Sequence, residues 1–253
     1  LGDQVRGRNE LSGLAHDFDD MAGKIEALVS SQKRLLRDIS HELRSPLARL
    51  GIALELARQQ GLQEGQNKAL ARIELEAERM NVMIGQLLNL TRLESGAIDL
   101  PFQQFNLCDL LENLVADANF EAETRQCKIV YNAPATAAYF GSHDLLAQAL
   151  ENVIRNAVKY TADGSVVSVG LSVNTKKLKI QVADQGSGVP DETLAKLFDP
   201  FYRVADARDR QSGGMGIGLA IAERAIKLHG GTIVASNRSN GGLLVEIILP
   251  IEN

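Results

Sequence analysis

The sequence predicts a helical hairpin followed by an α/β sandwich. In the first hundred residues, apolar positions recur at intervals of three and four along two long stretches separated by a turn-like break. From about residue 103 the pattern changes to short alternating runs such as VVSVGLSV and LKIQVAD, which are typical of strands and lie between helical stretches. Mixed strands and helices with a predicted antiparallel pair favour an α/β sandwich.

Two apolar seams define the predicted hairpin. The first helix, 30–58, has a seam of Leu43, Leu47, Leu50, Leu54 and Ala57. The second helix, 66–94, has a seam of Leu70, Ile73, Ala77, Met80, Ile84 and Leu87. The segment QQGLQEG (59–65) is predicted to be the turn between them. One hairpin cannot cover both narrow seams, so we expect two copies to form a four-helix bundle.

The α/β half is predicted from its periodicity and its glycines. We expect helices at 108–125, at about 143–160, and from Gly218 to Gly230, with strands at 127–132, 166–173, 178–184, 232–236 and 242–250. Residues 185–217 are expected to be a long loop. Loops of this length are uncommon inside a domain, so this one is expected to act as a lid.

Composition argues against several kinds of protein. The net charge of -5 provides no basic excess for nucleic acid. Cys108 and Cys127 are far apart, so we expect buried thiols in a reducing compartment rather than a disulfide or a zinc site. No stretch is long and apolar enough to cross a bilayer, so any membrane anchor is expected upstream. His229 is expected at the surface.

A candidate nucleophile lies in the run DISHELRSPLARL (38–50). The residues three and four positions from His41 are all polar, which predicts an exposed side chain: Arg37, Asp38, Arg44 and Ser45. A neutral imidazole can attack phosphorus, and Glu42 could accept the proton from the other ring nitrogen. Pro46 is expected to kink the helix one turn later. Taken alone, an exposed histidine beside a glutamate is usually only helix surface.

The helix at 143–160 has a polar face carrying Asn152, Asn156 and Lys159. Two amide oxygens one turn apart could be ligands for Mg²⁺, and the lysine could neutralise phosphate. A plain amphipathic helix with a polar stripe explains the same pattern, so this face alone does not decide between them.

Two glycine motifs follow. Asp184 comes directly after a predicted strand and could accept a hydrogen bond from an adenine amino group, while Gly186 and Gly188 let backbone approach the base. The run GMGIGLA (214–220) leads into a helix whose first N–H groups could bind phosphate. It lacks the lysine of a P-loop and the context of a dinucleotide site.

Five motifs in this order resemble the conserved boxes of two-component sensor histidine kinases. They are HELRSPL (41–47, the H box), ENVIRNAVKY (151–160, the N box), DQGSG (184–188, G1), FDPFYR (198–203, the F box) and GMGIGLA (214–220, G2). The H box and the run ARDRQSGGMGIGLAI are similar to those of the envelope-stress sensors of that family and their relatives. Ser45 stands where the family commonly has threonine, and Met215 where it has a small or hydroxyl residue.

The resemblance implies three parts. Residues 1–28 would end a HAMP signalling domain, 29–97 would form the dimerisation and histidine-phosphotransfer domain, and 102–253 would form an ATP-binding domain of the Bergerat (GHKL) fold. The whole would be the cytoplasmic portion of an inner-membrane sensor, acting as a homodimer. Neither nucleic acid nor direct membrane contact is expected for this segment.

The resemblance also implies roles for residues. His41 would take the γ-phosphate of ATP with Glu42 as base, and pass it to an aspartate of a response regulator. Ser45 would help to position water when the regulator is dephosphorylated. Asn152 and Asn156 would hold Mg²⁺. Nucleotide contacts would come from Asn152, Asn156, Lys159, Tyr160, Asp184, Gly186, Gly188, Arg203, Gly214, Gly216, Gly218 and Leu219. Further γ-phosphate charge could come from Arg155, Arg203, Arg208 and Arg210.

Two other readings are a non-signalling ATPase of the same fold and an inactive scaffold. The first needs neither an H box nor paired helical seams, and this sequence has both. The second conflicts with the presence of every residue argued to carry the chemistry.

Overall fold

The computed structural model describes residues 21, 23, 37, 39, 43–57, 63–95, 101–204 and 215–251. The chain divides into two compact units, Leu1–Met80 and Asn81–Asn253. Nearly all of the predicted signalling segment 1–28 and residues 59–62 of the predicted turn lie outside the described residues. Within the described residues, no helix has the length and apolar character needed to span a membrane.

The first unit contains helix α1 (residues 43–57) and the first half of α2 (Gln63–Ser95). The buried face of α1 comprises Pro46 and Ala53, with Leu43, Leu50 and Ala57 half-buried beside them. An ion pair of 2.9 Å between Arg49 Nη2 and Glu76 Oε2 joins α1 to α2. The described helices therefore confirm the predicted hairpin.

The hairpin itself does not bury the whole of the predicted seams. Leu47, Leu54 and Leu70 are 54%, 46% and 51% exposed, whereas Ala53, Ala69 and Glu76 are buried. Each helix therefore has two faces that could pack against another helix, and the hairpin buries only one of them. The turn prediction also extended too far, because α2 begins at Gln63. Gly65 lies in the first turn of this helix, where backbone N–H groups have no intrahelical partner.

The second unit is a sandwich of a sheet and three helices. The strands of its five-stranded sheet are β2 (Lys128–Asn132), β4 (Val166–Val173), β5 (Lys177–Ala183), β6 (Thr232–Asn237) and β7 (Leu243–Pro250). Their order in the sheet is β2-β4-β5-β7-β6, in which β2 and β4 are parallel and the other pairs antiparallel. The helices are α3 (Leu107–Glu123), α4 (His143–Tyr160) and α5 (Gly218–Leu228).

The core of this unit lies between the sheet and the helices. Alternate residues of β4, β5 and β7 are fully buried because one face of the sheet is covered: Val167, Val169, Leu178, Ile180, Ile247 and Leu249. The helices contribute Leu146, Leu150, Ile154, Ile221 and Ile226, which are also removed from solvent. The predicted α/β sandwich is thereby confirmed, and Cys108 and Cys127 are buried thiols as expected.

Three elements were not predicted. Strands β1 (Gln103–Asn106) and β3 (Ala138–Gly141) form a separate antiparallel ribbon. With four residues each, they are too short to show a clear alternation. The predicted loop 185–217 contains a 3₁₀-helix, Asp191–Phe198, whose buried residue is Phe198. Glycines and prolines lie on both sides of this 3₁₀-helix, so the sequence pattern there predicts a loop.

The last turns of α2 belong to the second unit. Leu90 and Leu93 are 2% and 0% exposed. Asn89 Nδ2 donates to Gln148 Oε1 of α4 at 2.6 Å. Arg224 of α5 donates to the carbonyl oxygens of Leu93 (3.1 Å) and Glu94 (3.2 Å), which satisfies acceptors that a helix end leaves open.

His229 is buried, so the expectation of a surface position is wrong. Its Nε2 accepts a hydrogen bond from the Ser142 backbone N–H at 3.0 Å, and its Nδ1 lies 2.8 Å from the Ala225 carbonyl oxygen. Only a neutral ring protonated at Nδ1 makes both bonds. Burial lowers the pKa of His229, although the bond to Ala225 opposes this shift.

Acidification is expected to destabilise the second unit through His229. The unfolded chain takes up a proton on this residue near its ordinary pKa, about 6.5, whereas the folded chain resists it. Stability from the neutral ring is therefore complete above that pH and declines below it. Urea unfolding midpoints at pH 7.5 and 5.5 should differ more for the wild type than for His229→Gln. Substitution of the half-exposed His143 by Gln should leave the midpoint difference of the wild type unchanged. Equal midpoint differences in all three proteins would contradict the assignment.

Candidate nucleotide-binding site

A cavity of about 740 Å³ opens in the second unit beside α4, the end of β5 and the start of α5. Every predicted nucleotide-binding residue that the structure describes lines it: Asn152, Asn156, Lys159, Tyr160, Asp184, Gly186, Gly188, Arg203, Gly216, Gly218 and Leu219. Gly214, Arg208 and Arg210 lie outside the described residues, as do His41 and Glu42.

Helix α4 provides the amide wall of the cavity. Its apolar side is buried in the core, which leaves Asn152, Asn156 and Lys159 half-buried on the cavity side. A methyl group added at Gly218 would lie 2.9 Å from Asn152 Oδ1, so glycine allows the start of α5 to approach this amide. Lys159 Nζ lies 5.0 Å from the centre of the Tyr160 ring.

Asp184 is the buried carboxylate of the cavity, with 4% of its surface exposed. Its Oδ1 accepts hydrogen bonds from the backbone N–H groups of Gly186 (2.8 Å) and Leu243 (3.1 Å). Burial raises the pKa of Asp184, and these two N–H groups with the nearby Arg238 act in the opposite direction. Because both bonds fall on Oδ1, Oδ2 is the oxygen available to a ligand.

Two glycines allow the backbone to pack around this carboxylate. A Cβ at Gly186 would lie 2.2 Å from the Tyr160 carbonyl oxygen. Gly242 has a φ of +92°, and its Cβ would lie 2.1 Å from the Asp184 carbonyl oxygen. Sequence reasoning found the first glycine and missed the second. The pair of glycines directly before β7 was the available signal.

Arg125 is a second residue that sequence reasoning missed. Its Nη1 donates to the carbonyl oxygens of Val158 and Lys159 at 2.6 Å each, and its Nη2 donates to that of Thr161 at 2.9 Å. It also forms a 2.7 Å ion pair with Asp163. Arg125 thus caps the end of α4 that carries the cavity residues. No local pattern links it to residues more than thirty positions away.

A backbone contact joins Phe201 and Gly216, which lie on either side of residues 205–214. Phe201 N–H donates to the Gly216 carbonyl oxygen at 2.9 Å. Gly216 has a φ of +72°, and a Cβ there would lie 2.7 Å from the Tyr202 carbonyl oxygen. Helix α5 begins directly afterwards, and no side chain caps it. Its first N–H groups are suited to an anionic ligand.

Arg155 lines the cavity but is engaged by carboxylates. Its guanidinium lies 2.9 Å from Glu121 and 3.4 Å from Glu151. A role at a γ-phosphate remains a prediction for Arg155, and would require it to leave these partners.

Ser45 is exposed on α1 in the first unit. Its Oγ accepts a hydrogen bond of 2.7 Å from Arg49 Nη1. Its neighbour in the motif, His41, is four positions earlier in the chain.

Comparison with known proteins matches both halves. The model of the His Kinase A (phospho-acceptor) domain matches residues 31–96. That of the histidine kinase-, DNA gyrase B- and HSP90-like ATPase matches residues 141–253. Sensor histidine kinase CpxA of Escherichia coli is 39% identical over 97% of this chain and 52% of its own length. The chain thus spans about half the length of the curated relatives it matches.

Solved structures have the same fold. Histidine kinase ThkA, in complex with response regulator protein TrrA, aligns with a TM-score of 0.68 at 21% identity, covering 85% of this chain and 60% of that one. Full-length ShkA in complex with AMPPNP aligns with a TM-score of 0.65 at 25% identity, covering 87% of this chain and 46% of that one. The Bergerat fold and the resemblance to CpxA-like sensor kinases are confirmed. This chain belongs to the two-component sensor histidine kinases.

Proposed function

We propose that this chain uses Mg-ATP to phosphorylate His41 and then transfers the phosphate to an aspartate of a response regulator. One combination carries the proposal. A phospho-acceptor domain that contains the HELRSPL motif is followed in the same chain by a cavity lined by the described N-box, G1 and G2 residues. An ATPase without phosphotransfer would have no use for the first part.

The nucleotide would enter with its adenine against Asp184. Oδ2 of this carboxylate would accept a hydrogen bond from the adenine amino group, while Gly186 lets the backbone lie close to the base. The phosphates would meet Lys159 and the uncapped start of α5. The similar kinase ShkA has been solved with AMPPNP, an ATP analogue, which supports ATP as the nucleotide.

Mg²⁺ would be held by the amide oxygens of Asn152 and Asn156. Both side chains line the cavity and provide the hard oxygen ligands that Mg²⁺ prefers. Among the described residues there is no cluster of three or more His, Cys, Asp or Glu suited to a metal. Neutral amides fit an ion whose charge is balanced by the phosphates of its nucleotide. When bound, the ion would offset the negative charge that develops on those phosphates.

The transfer to His41 is a displacement at phosphorus. One imidazole nitrogen would attack the γ-phosphorus, the bond to the β–γ bridging oxygen would break, and ADP would leave. Glu42 would accept the proton from the other ring nitrogen. Positioning of the two groups would supply most of the rate enhancement.

The partners follow from the exposed faces and from the family. Apolar side chains remain 44–55% exposed along α1 and α2: Leu47, Leu54, Leu70, Ile84 and Leu88. A second copy covering them would complete the four-helix bundle. ThkA was solved with a response regulator, which supports a regulator as partner. Ser45 would assist the hydrolysis of the phosphate from the aspartate of the regulator.

The remaining assignments complete the proposal. Residues 1–28 would end a HAMP domain, 29–97 would form the phosphotransfer domain, and 102–253 the catalytic domain. The full protein would be anchored in the inner membrane with this portion in the cytoplasm.

Substitution of His41 is expected to abolish protein labelling. With Mg²⁺ and γ-³²P-labelled ATP, the wild type should acquire label that is lost in acid and kept in base, as expected for phosphohistidine. His41→Gln should acquire none, because the amide is not a nucleophile for phosphorus. His143→Gln should be labelled normally. ATP hydrolysis without label would favour a non-signalling ATPase, and neither activity would favour an inactive scaffold.

Asp184→Asn is expected to weaken ATP binding while preserving the fold. The amide oxygen can still accept both backbone hydrogen bonds, but an NH₂ group replaces Oδ2 and cannot accept from adenine. Hydrogen bonds to charged groups contribute about 1.5–3 kcal/mol, so affinity should fall roughly ten- to a hundredfold. Calorimetric titration with AMPPNP measures this. The exposed Asp191→Asn is the control, and an unchanged affinity in Asp184→Asn would contradict the adenine contact.

A further inference from the structure

Glu76 is a buried carboxylate between α1 and α2. It is 0% exposed and occupies a position where the helical seam would otherwise be apolar. Burial alone would raise the pKa of Glu76, but the hydrogen bond and charge of Arg49, with the charges of Arg79 and Arg72, lower it. Glu76 is therefore an anion at neutral pH, held inside the hairpin by arginines.

The three arginines do not contribute equally. Arg49 Nη2 lies 2.9 Å from Glu76 Oε2, and Arg79 Nη1 donates to Oε1 at 3.1 Å. Arg72 Nε is farther away, at 3.7 Å from Oε1. Arg49 is the only one of the three on α1, so it is the arginine that links the two helices.

The pair is poorly explained by stability alone. Among the described residues, Arg49 Nε is buried without a hydrogen-bond partner, and Glu76 Oε2 makes no hydrogen bond beside its 2.9 Å ion pair with Arg49 Nη2. Glu76 is fully buried, whereas 41% of the Arg49 side chain is exposed. An ion pair with a buried charge gives little net stability, and apolar residues of similar volume often do as well or better. Buried polar atoms left unsatisfied call for another explanation.

Arg49 also contacts Ser45, an exposed residue of the H box. Its Nη1 donates to Ser45 Oγ at 2.7 Å while Nη2 faces Glu76. The guanidinium is planar and its two arms have a fixed geometry, so fixing one arm on Glu76 orients the other on Ser45. The hydroxyl then keeps its proton and one lone pair for a water molecule.

We propose that Arg49 and Glu76 are positioning residues that orient the Ser45 hydroxyl for dephosphorylation of the regulator. This rests on the proposed function, because it requires a phosphorylated aspartate as substrate. In the reaction, water forms a bond to phosphorus, the bond from phosphorus to the aspartyl oxygen breaks, and inorganic phosphate and the free carboxylate are released. Ser45 orients that water, and Arg49 holds Ser45.

The test measures dephosphorylation and autophosphorylation in the same variants. The substrate is the receiver domain that accepts phosphate fastest from the wild-type chain, phosphorylated with acetyl phosphate. Arg49→Met should slow dephosphorylation about tenfold, the effect of losing a charge-assisted hydrogen bond, with autophosphorylation of His41 unchanged. Arg72→Met, which removes a neighbouring charge without touching Ser45, should leave both rates unchanged.

A double variant separates positioning from folding. Arg49→Met removes the α1 partner of the buried Glu76 and leaves it Arg72 and Arg79 of its own helix, a loss that could destabilise the hairpin. Arg49→Met with Glu76→Met leaves no buried carboxylate, and should show the same loss of dephosphorylation with a wild-type unfolding midpoint.

A cycle with Ser45→Ala tests the route of the effect. If Arg49 acts through Ser45, adding Arg49→Met to Ser45→Ala should cause no further loss of dephosphorylation. The proposal would be overturned if the losses of dephosphorylation in Ser45→Ala and Arg49→Met multiplied when the two were combined. It would also be overturned if the folded variant Arg49→Met with Glu76→Met lost autophosphorylation and dephosphorylation equally. A wild-type chain that neither labels His41 nor transfers phosphate would instead refute the proposed function.

Discussion

The carboxylate of Asp184 is withdrawn from water at the end of β5, and its Oδ1 is held by two backbone N–H groups. Those groups come from the turn after β5 and from the first residue of β7, while Arg238 from the turn between β6 and β7 donates to the Asp184 carbonyl oxygen at 2.6 Å. A buried carboxylate needs such partners, since burial without them costs several kcal/mol. The cavity therefore depends on three segments meeting at one residue, two at its side chain and one at its carbonyl oxygen.

The register of the sheet is what brings these segments together. In the antiparallel pair of β5 and β7, Ala183 lies opposite Leu244, so the residue after β5 meets the residue that opens β7. Gly242 must then pass the Asp184 carbonyl oxygen at a distance that no Cβ permits. A shift of one residue would place the alternating core residues of β7 on the wrong face of the sheet. Core packing and ligand geometry are thus fixed by the same pairing.

Local patterns were enough to predict one part of this arrangement. Helix α4 and strand β4 have the predicted boundaries, because both show strong periodicity next to clear breaks. The contributions of Arg125 and Arg238 were not predictable, and for Gly242 the pair of glycines before β7 was the one available signal. Each acts on a residue that is distant in the chain, and only the folded sheet and helices bring them close. The nucleotide-binding roles of the lining residues remain predictions, although the fold places them around one cavity.

The helical half shows a different limit of pattern reading. A search for apolar residues linked Leu47, Leu54 and Leu70 into the hairpin seam, although all three are exposed. The buried face instead includes Glu76, which a search for apolar residues passes over because it is charged. Two overlapping apolar faces on one helix are expected where it packs against a partner helix and a second copy at once. Packing alone does not explain why the charged Glu76 occupies the buried face. Arg49 connects Glu76 to Ser45, because its two terminal nitrogens contact one residue each.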